Sequence, residues 1–121
     1  MEEYDPKKIY LGPNGHWSKD FIPKTPIGVP QVHSYWNKAA YDHDCGYEGT
    51  REKGWFGWIK NFFNRKKIDD KFHADLYTGV QKVEHSLTDQ QIEDAYDYAD
   101  LVYNSVRTLG WSFYRTGKKD D

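Results

Sequence analysis

Apolar residues return at helical spacing in three stretches of the chain. Between Tyr35 and Glu48 the recurring positions are Trp36, Ala40, His43 and Tyr47, with no proline to interrupt them, and the spacing predicts a first helix. A second helix is predicted from about Ile68 to Glu84, where Ile68, Phe72, Leu76, Val80 and Val83 fall on one face. A third runs from Asp89 to about Leu109, striped by Ile92, Ala95, Ala99, Val102 and Val106. Thr88 and Gln91 have the spacing of a capping box at its start, and Gly110 offers a stop. Residues 1–35 carry all five prolines together with Gly12, Gly15 and Gly28, which break regular structure at short intervals, so this arm reads as loop with a tight turn at YLGPNG, residues 10–15. The pattern leaves residues 51–67, REKGWFGWIKNFFNRKK, undecided, and strands have little support elsewhere. The expected class is mainly α, two long helices and a shorter one around a compact core, with an N-terminal loop.

Length and composition narrow this picture. With 121 residues the chain makes one domain, 1–121, with a core over about 10–87, a C-terminal helix over about 89–110 and a disordered tail over about 116–121. Aromatic residues reach 17% against 30% charged, which suits a small core built on large apolar anchors. The net charge of -2 argues against a nucleic-acid binder that works by global charge. A single cysteine, Cys45, excludes an internal disulfide framework. The acidic start MEEYDPKK lacks the apolar run of a secretory leader, and no stretch approaches the roughly 18 apolar residues of a membrane span. Membrane contact is therefore expected to be peripheral.

The candidate chemistry lies in YDHDCGYEG, residues 41–49. A His-Asp dipeptide is most often structural, but here His43 shares a helix face with Ala39, Ala40 and Tyr47 while Asp44 projects about 100° around the axis. One position can handle a proton and its neighbour a cation. An EF-hand loop is excluded, because Asp42, Asp44, Gly46 and Glu48 do not supply its alternating ligands with glycine sixth. A zinc site lacks a second histidine at helical spacing and a second cysteine. Calcium takes 6 to 8 oxygens and accepts backbone carbonyls, which a glycine-proline turn such as YLGPNG can present.

Taken in order, Y-L-G-P, A-A-Y-D-H-D-C-G-Y and D-D-K-F resemble the phospholipase A2 superfamily, most closely the compact, disulfide-poor domain carried in parvovirus capsid proteins. The resemblance covers roughly residues 10–80, with Tyr10, Gly12, His43, Asp44, Tyr47 and Asp69 on its signature positions. It departs where the family turn has its second glycine, here Asn14 followed by Gly15, although asparagine tolerates positive φ better than most residues. The resemblance implies calcium-dependent hydrolysis of the sn-2 ester of membrane glycerophospholipids. In that scheme His43 is the general base, Asp69 orients it, Tyr47 supports Asp69, and the Gly12 N–H stabilises the oxyanion. Calcium would be held by Asp44 and carbonyls of Tyr10, Gly12 and Asn14. Asp70, beside Asp69, faces away from the Phe72 and Leu76 stripe and is the lesser candidate. The viral relatives suggest a chain delivered within a viral or phage assembly or released by lysis. The alternative is a catalytically silent membrane-binding or virion-structural protein on the same fold.

Residues 51–67 fit an enzyme of lipid surfaces. Six basic residues face one acid, Glu52, in a chain that is acidic elsewhere, and the aromatics between them suit a headgroup boundary. The expected docking set is Trp55, Phe56, Trp58, Lys60, Phe62, Arg65, Lys66 and Lys67, the competing expectation being that Trp58, Phe62 and Phe63 pack as core. A nucleic-acid role is disfavoured by the acidic remainder.

Overall fold

The structure, a computed structural model, describes residues 3–7, 10, 29–49 and 57–109, with the side chains of Glu48, Trp58 and Leu109 excepted. The expectations for Gly12, Asn14, Trp55, Phe56, the side chain of Trp58, the Gly110 stop and the tail at 116–121 lie outside the described residues. Those described are mainly helical, and no strand occurs among them. A 3-10 turn at Pro30–Val32 leads into α1, His33–Gly49; α2 spans Gly57–Val83; a second 3-10 turn, Glu84–Ser86, precedes α3, Asp89–Leu109.

The third helix has its expected bounds, and its cap is formed reciprocally. Gln91 N–H donates to Thr88 Oγ1 at 3.1 Å, and Thr88 N–H donates to Gln91 Oε1 at 2.9 Å. Helix α2 starts eleven residues before the apolar stripe that announces it, so that Gly57 to Lys67, part of the undecided segment, belongs to it. The reason is that its first turns point polar groups inward: Arg65 and Asp69 are buried on the face that Phe72, Leu76 and Val80 continue. Apolar periodicity cannot register a helix whose inner face is ionic.

Helix α2 packs antiparallel against both of its neighbours. Trp36 meets Leu76, His43 meets Asp69 and Tyr47 meets Arg65, so residue numbers rise on α1 as they fall on α2. On the other side Tyr77 and His73 meet Asp100, Tyr103 meets Asp70, and Arg65 meets Val106. The core between the helices centres on Trp36, whose Nε1–H donates to the Leu76 carbonyl at 2.9 Å and whose ring stacks on Tyr98 at 5.3 Å. Val29 and Val32 enter the same core from the arm, and Val102 and Val106 from α3.

Two glycines set how closely α1 and α2 approach. A Cβ on Gly79 would lie 2.9 Å from Tyr35 Cβ and 3.1 Å from Trp36 Cδ1, and one on Gly46 would lie 3.0 Å from Ile68 Cγ2. The contact at Gly46 is with a flexible side chain, whereas Tyr35 Cβ moves only with its helix. Gly79→Ala is therefore expected to destabilise by about 1–3 kcal/mol, outweighing the ~1 kcal/mol that alanine gains in helix propensity. The urea midpoint checks this, and an unchanged or raised midpoint would mean that α1 slides to make room.

Candidate active site

His43 is buried on α1 between the rings of Tyr47 and Phe72, at centroid distances of 4.2 and 4.6 Å. Asp69, fully buried on α2, lies opposite, with its Oδ1 2.6 Å from His43 Nε2. The Asp69 oxygens also receive N–H donors from two guanidinium groups, and with Asp69 as the acceptor Nε2 carries the hydrogen of this bond. Tyr47 O–H donates to the same Oδ1 at 2.7 Å. Burial, reinforced by Asp69, pushes the Tyr47 phenol far above its usual 10, so it remains a donor throughout the neutral range. His43, Tyr47 and Asp69 thus lie together, and the neighbouring Asp70 is exposed and engaged elsewhere, by Lys66 at 2.7 Å and Tyr103 at 2.6 Å.

The other ring nitrogen of His43, Nδ1, is 3.9 Å from Asp44 Oδ1. Burial is the largest single influence on the imidazole and favours its neutral form, but Asp44 and Asp69 together outweigh it and raise its pKa above the ordinary 6.5. The site therefore favours taking up a proton even though it is closed to bulk water. The Asp44 side chain itself retains 14% exposure, enough to face an incoming group.

Tyr10 is fastened to the face of α1 that also carries Asp44. Its N–H donates to the buried Asn37 Oδ1 at 2.6 Å, and its ring packs edge-on against Tyr41 at 5.1 Å. Positions 37, 41 and 44 share one helix face, and the rise from Tyr41 to Asp44 is about 4.5 Å. Tyr10 thereby begins the 10–15 segment within a few residues' reach of Asp44. Among the described residues no group of three or more His, Cys, Asp and Glu gathers to hold a metal.

Two site residues differ from the sequence reading. Arg65, expected at a membrane surface among the basic residues of its segment, is only 9% exposed and turns inward. Its Nη1 lies 3.2 Å from Asp69 Oδ2 and 3.3 Å from the Tyr47 hydroxyl. The physical reason is the buried charge: a carboxylate taken out of water needs a cation, and Arg65 sits one helical turn before it. That Arg65 and Asp69 spacing is the signal that could have found it. Arg107 on α3 also donates to Asp69 Oδ2, at 2.7 Å, and no local pattern marks it. By contrast Lys60, Phe62, Lys66 and Lys67 are exposed as expected, and so are Ile59 and Phe63.

Comparison with protein-family models, curated proteins and solved structures yields no match to this chain.

Proposed function

We propose that the protein is a calcium-dependent phospholipase A2 that hydrolyses the sn-2 ester of membrane glycerophospholipids. The observation that carries this reading is the buried His43–Asp69 pair, with Tyr47 on the same carboxylate oxygen and Asp44 beside the second ring nitrogen. With Nε2 engaged by Asp69, Nδ1 is the ring atom that takes a proton from water as the water oxygen attacks the ester carbonyl. Asp69 holds the tautomer and stabilises the imidazolium, and Tyr47 holds Asp69. As the ester C–O bond breaks, the same proton passes to the departing sn-2 oxygen, which leaves a fatty acid and a lysophospholipid. The imidazole returns neutral, and no covalent intermediate on the chain is required.

The donors available fit a hard cation that accepts carbonyl oxygens. Asp44 offers a carboxylate, Tyr10 is anchored on the same face of α1, and carbonyls of Tyr10, Gly12 and Asn14 would complete the set, Gly12 and Asn14 lying outside the described residues. Bound there, calcium would supply a Lewis acid for the substrate phosphate and the developing oxyanion. The Gly12 N–H would add a donor to that oxyanion.

The test is release of a labelled sn-2 chain from vesicles, with calcium and then with chelator. Release that chelation abolishes is the expected result. Vesicle binding without release at millimolar calcium would sink the enzymatic reading and favour a catalytically silent membrane-binding or virion-structural role.

The partner that fits the outer face of α2 is an anionic phospholipid surface. Phe62 and Phe63 are 52% and 59% exposed, Ile59 lies beside Phe63, and Lys60, Lys66 and Lys67 flank them. No described helix is long and apolar enough to cross a membrane, so contact through this face is peripheral. Phe62→Ser with Phe63→Ser is expected to weaken binding to anionic vesicles about tenfold or more, the loss of roughly 1.5 kcal/mol of burial. Turnover of a soluble short-chain substrate should be nearly unchanged, and equal loss in both assays would instead assign the pair to packing.

A further inference from the structure

The two oxygens of the Asp69 carboxylate are held by different parts of the molecule. Oδ1 accepts from His43 and Tyr47, both on α1, at 2.6 and 2.7 Å. Oδ2 accepts from Arg107 Nη1 of α3 at 2.7 Å and from Arg65 Nη1 of α2 at 3.2 Å. The terminal torsion of an aspartate is broad, so a carboxylate held at one oxygen alone can turn and carry its partner with it. Donors on both oxygens fix its plane.

Arg107 reaches the site because the end of α3 is itself tied down by Arg65. Arg65 Nη1 donates to the Val106 carbonyl at 3.0 Å and its Nη2 to the Arg107 carbonyl at 3.4 Å. Both carbonyls lie in the final residues of α3, Asp89–Leu109, at the end of the helix where the dipole is negative. A cation there is favourable. The contacts form a closed circuit: Arg65 anchors the turn that bears Arg107, and Arg107 returns to the carboxylate that Arg65 also touches.

We infer that Arg107 is a positioning residue for His43, acting through Asp69, so that the last turn of α3 completes the active site. For its kinetic readout the inference rests on His43 being the base proposed above; for its geometric readout it does not. If the ion pair merely clamps α3 to α2, Arg107→Met lowers stability and leaves each folded molecule unchanged. If it positions Asp69, each folded molecule is altered at the His43 ring.

The experiment uses the full chain with Arg107→Met and Arg107→Lys, at a temperature where circular dichroism shows both variants folded. One arm measures kcat and KM on vesicles carrying a labelled sn-2 chain in calcium. The other follows the ring N–H resonances of 15N-histidine-labelled protein, with His43 assigned by His43→Gln. Arg107→Met is expected to lower kcat roughly tenfold to a hundredfold with little change in KM, since supporting contacts of this kind typically carry that much. The His43 ring resonance is expected to move while that of His85, exposed on the turn after α2, stays in place. Arg107→Lys should recover more of the thermal midpoint than of kcat, because an ammonium supplies the charge without the planar fork of the guanidinium. An unmoved His43 resonance in folded Arg107→Met overturns the inference, whatever happens to kcat. If the unmodified protein releases no label, the resonance alone decides: a shift upholds the role of Arg107 while the hydrolase reading falls. If Arg107→Met does not fold, Arg107→Lys is judged by the same resonance.

Discussion

Asp69→Asn is expected to reduce sn-2 hydrolysis per folded molecule by roughly a thousandfold to ten-thousandfold, the scale seen when the orienting carboxylate of a Ser-His-Asp triad becomes an amide. The geometry explains why so small a change would matter. Asp69 accepts at both oxygens, from His43, Tyr47, Arg65 and Arg107. An amide offers one acceptor oxygen and one donor nitrogen, so whichever way it turns a donor faces a donor. If the amide N–H₂ meets the imidazole, the tautomer reverses and Nδ1 ceases to be the atom that takes the proton. Stability should fall as well. Breaking a buried ion pair by removing one partner costs about 3–5 kcal/mol, and because both guanidiniums keep some exposure the lower end is expected here, about 3 kcal/mol. Urea denaturation measures the second effect and labelled vesicles the first, with His43→Gln as the inactive reference. Activity within tenfold of the unmodified protein would remove Asp69 from the mechanism.

Trp36→Ala carries the largest stability cost expected among the described residues. Its ring is fully buried, stacks on Tyr98 of α3, donates to Leu76 of α2 and fills the space left by Gly79. It joins all three helices through the apolar core, as Arg65 and Asp69 do through the ionic site. Large aromatic-to-alanine changes in cores cost about 3–5 kcal/mol, a large share of the roughly 5–15 kcal/mol that holds a small domain folded. Trp36→Phe keeps most of the volume and loses the N–H bond, so it should cost well under half as much. Denaturation midpoints for the two variants test this, and equal losses would mean that the hydrogen bond outweighs the ring. Because the hole lies on the Leu76 side of the bundle, seven residues along α2 from Asp69, the His43 pair should persist in whatever fraction remains folded.

Sequence pattern made the apolar half of this molecule readable. The stripes of α2 and α3 end up buried at Phe72, Leu76, Val80, Ala95, Ala99, Val102 and Val106, and the face of α1 at Trp36, Ala40, His43 and Tyr47 does so as well. Thr88 and Gln91 were readable because a cap is local chemistry at fixed spacing. The ionic half was not. The first turns of α2 bury Arg65 and Asp69, which hydropathy reads as surface, so apolar periodicity starts the helix at about Ile68 and charge groups Arg65 with the membrane-docking residues. Arg107 is 38 residues from the carboxylate it meets, and only the α2–α3 register brings the two together. Gly79 carries no local mark of its role, since the ring it accommodates comes from another helix.

The continuity of α2 has a consequence for how the protein would meet a lipid surface. Phe62 and Phe63 stand on the same uninterrupted helix as Asp69, a rod about 40 Å long, with the exposed aromatics within two turns of the buried carboxylate. A flexible basic segment would have to be ordered on contact, at about 1–2 kcal/mol of backbone entropy for each residue fixed. From Gly57 onward the segment is already helix, so on the proposed reading the attraction of Lys60, Lys66 and Lys67 for anionic headgroups would go into affinity rather than folding. On the proposed reading, the same rigidity means that seating the aromatics would set the tilt of the described helices against the bilayer, and with it the direction from which an ester would approach His43.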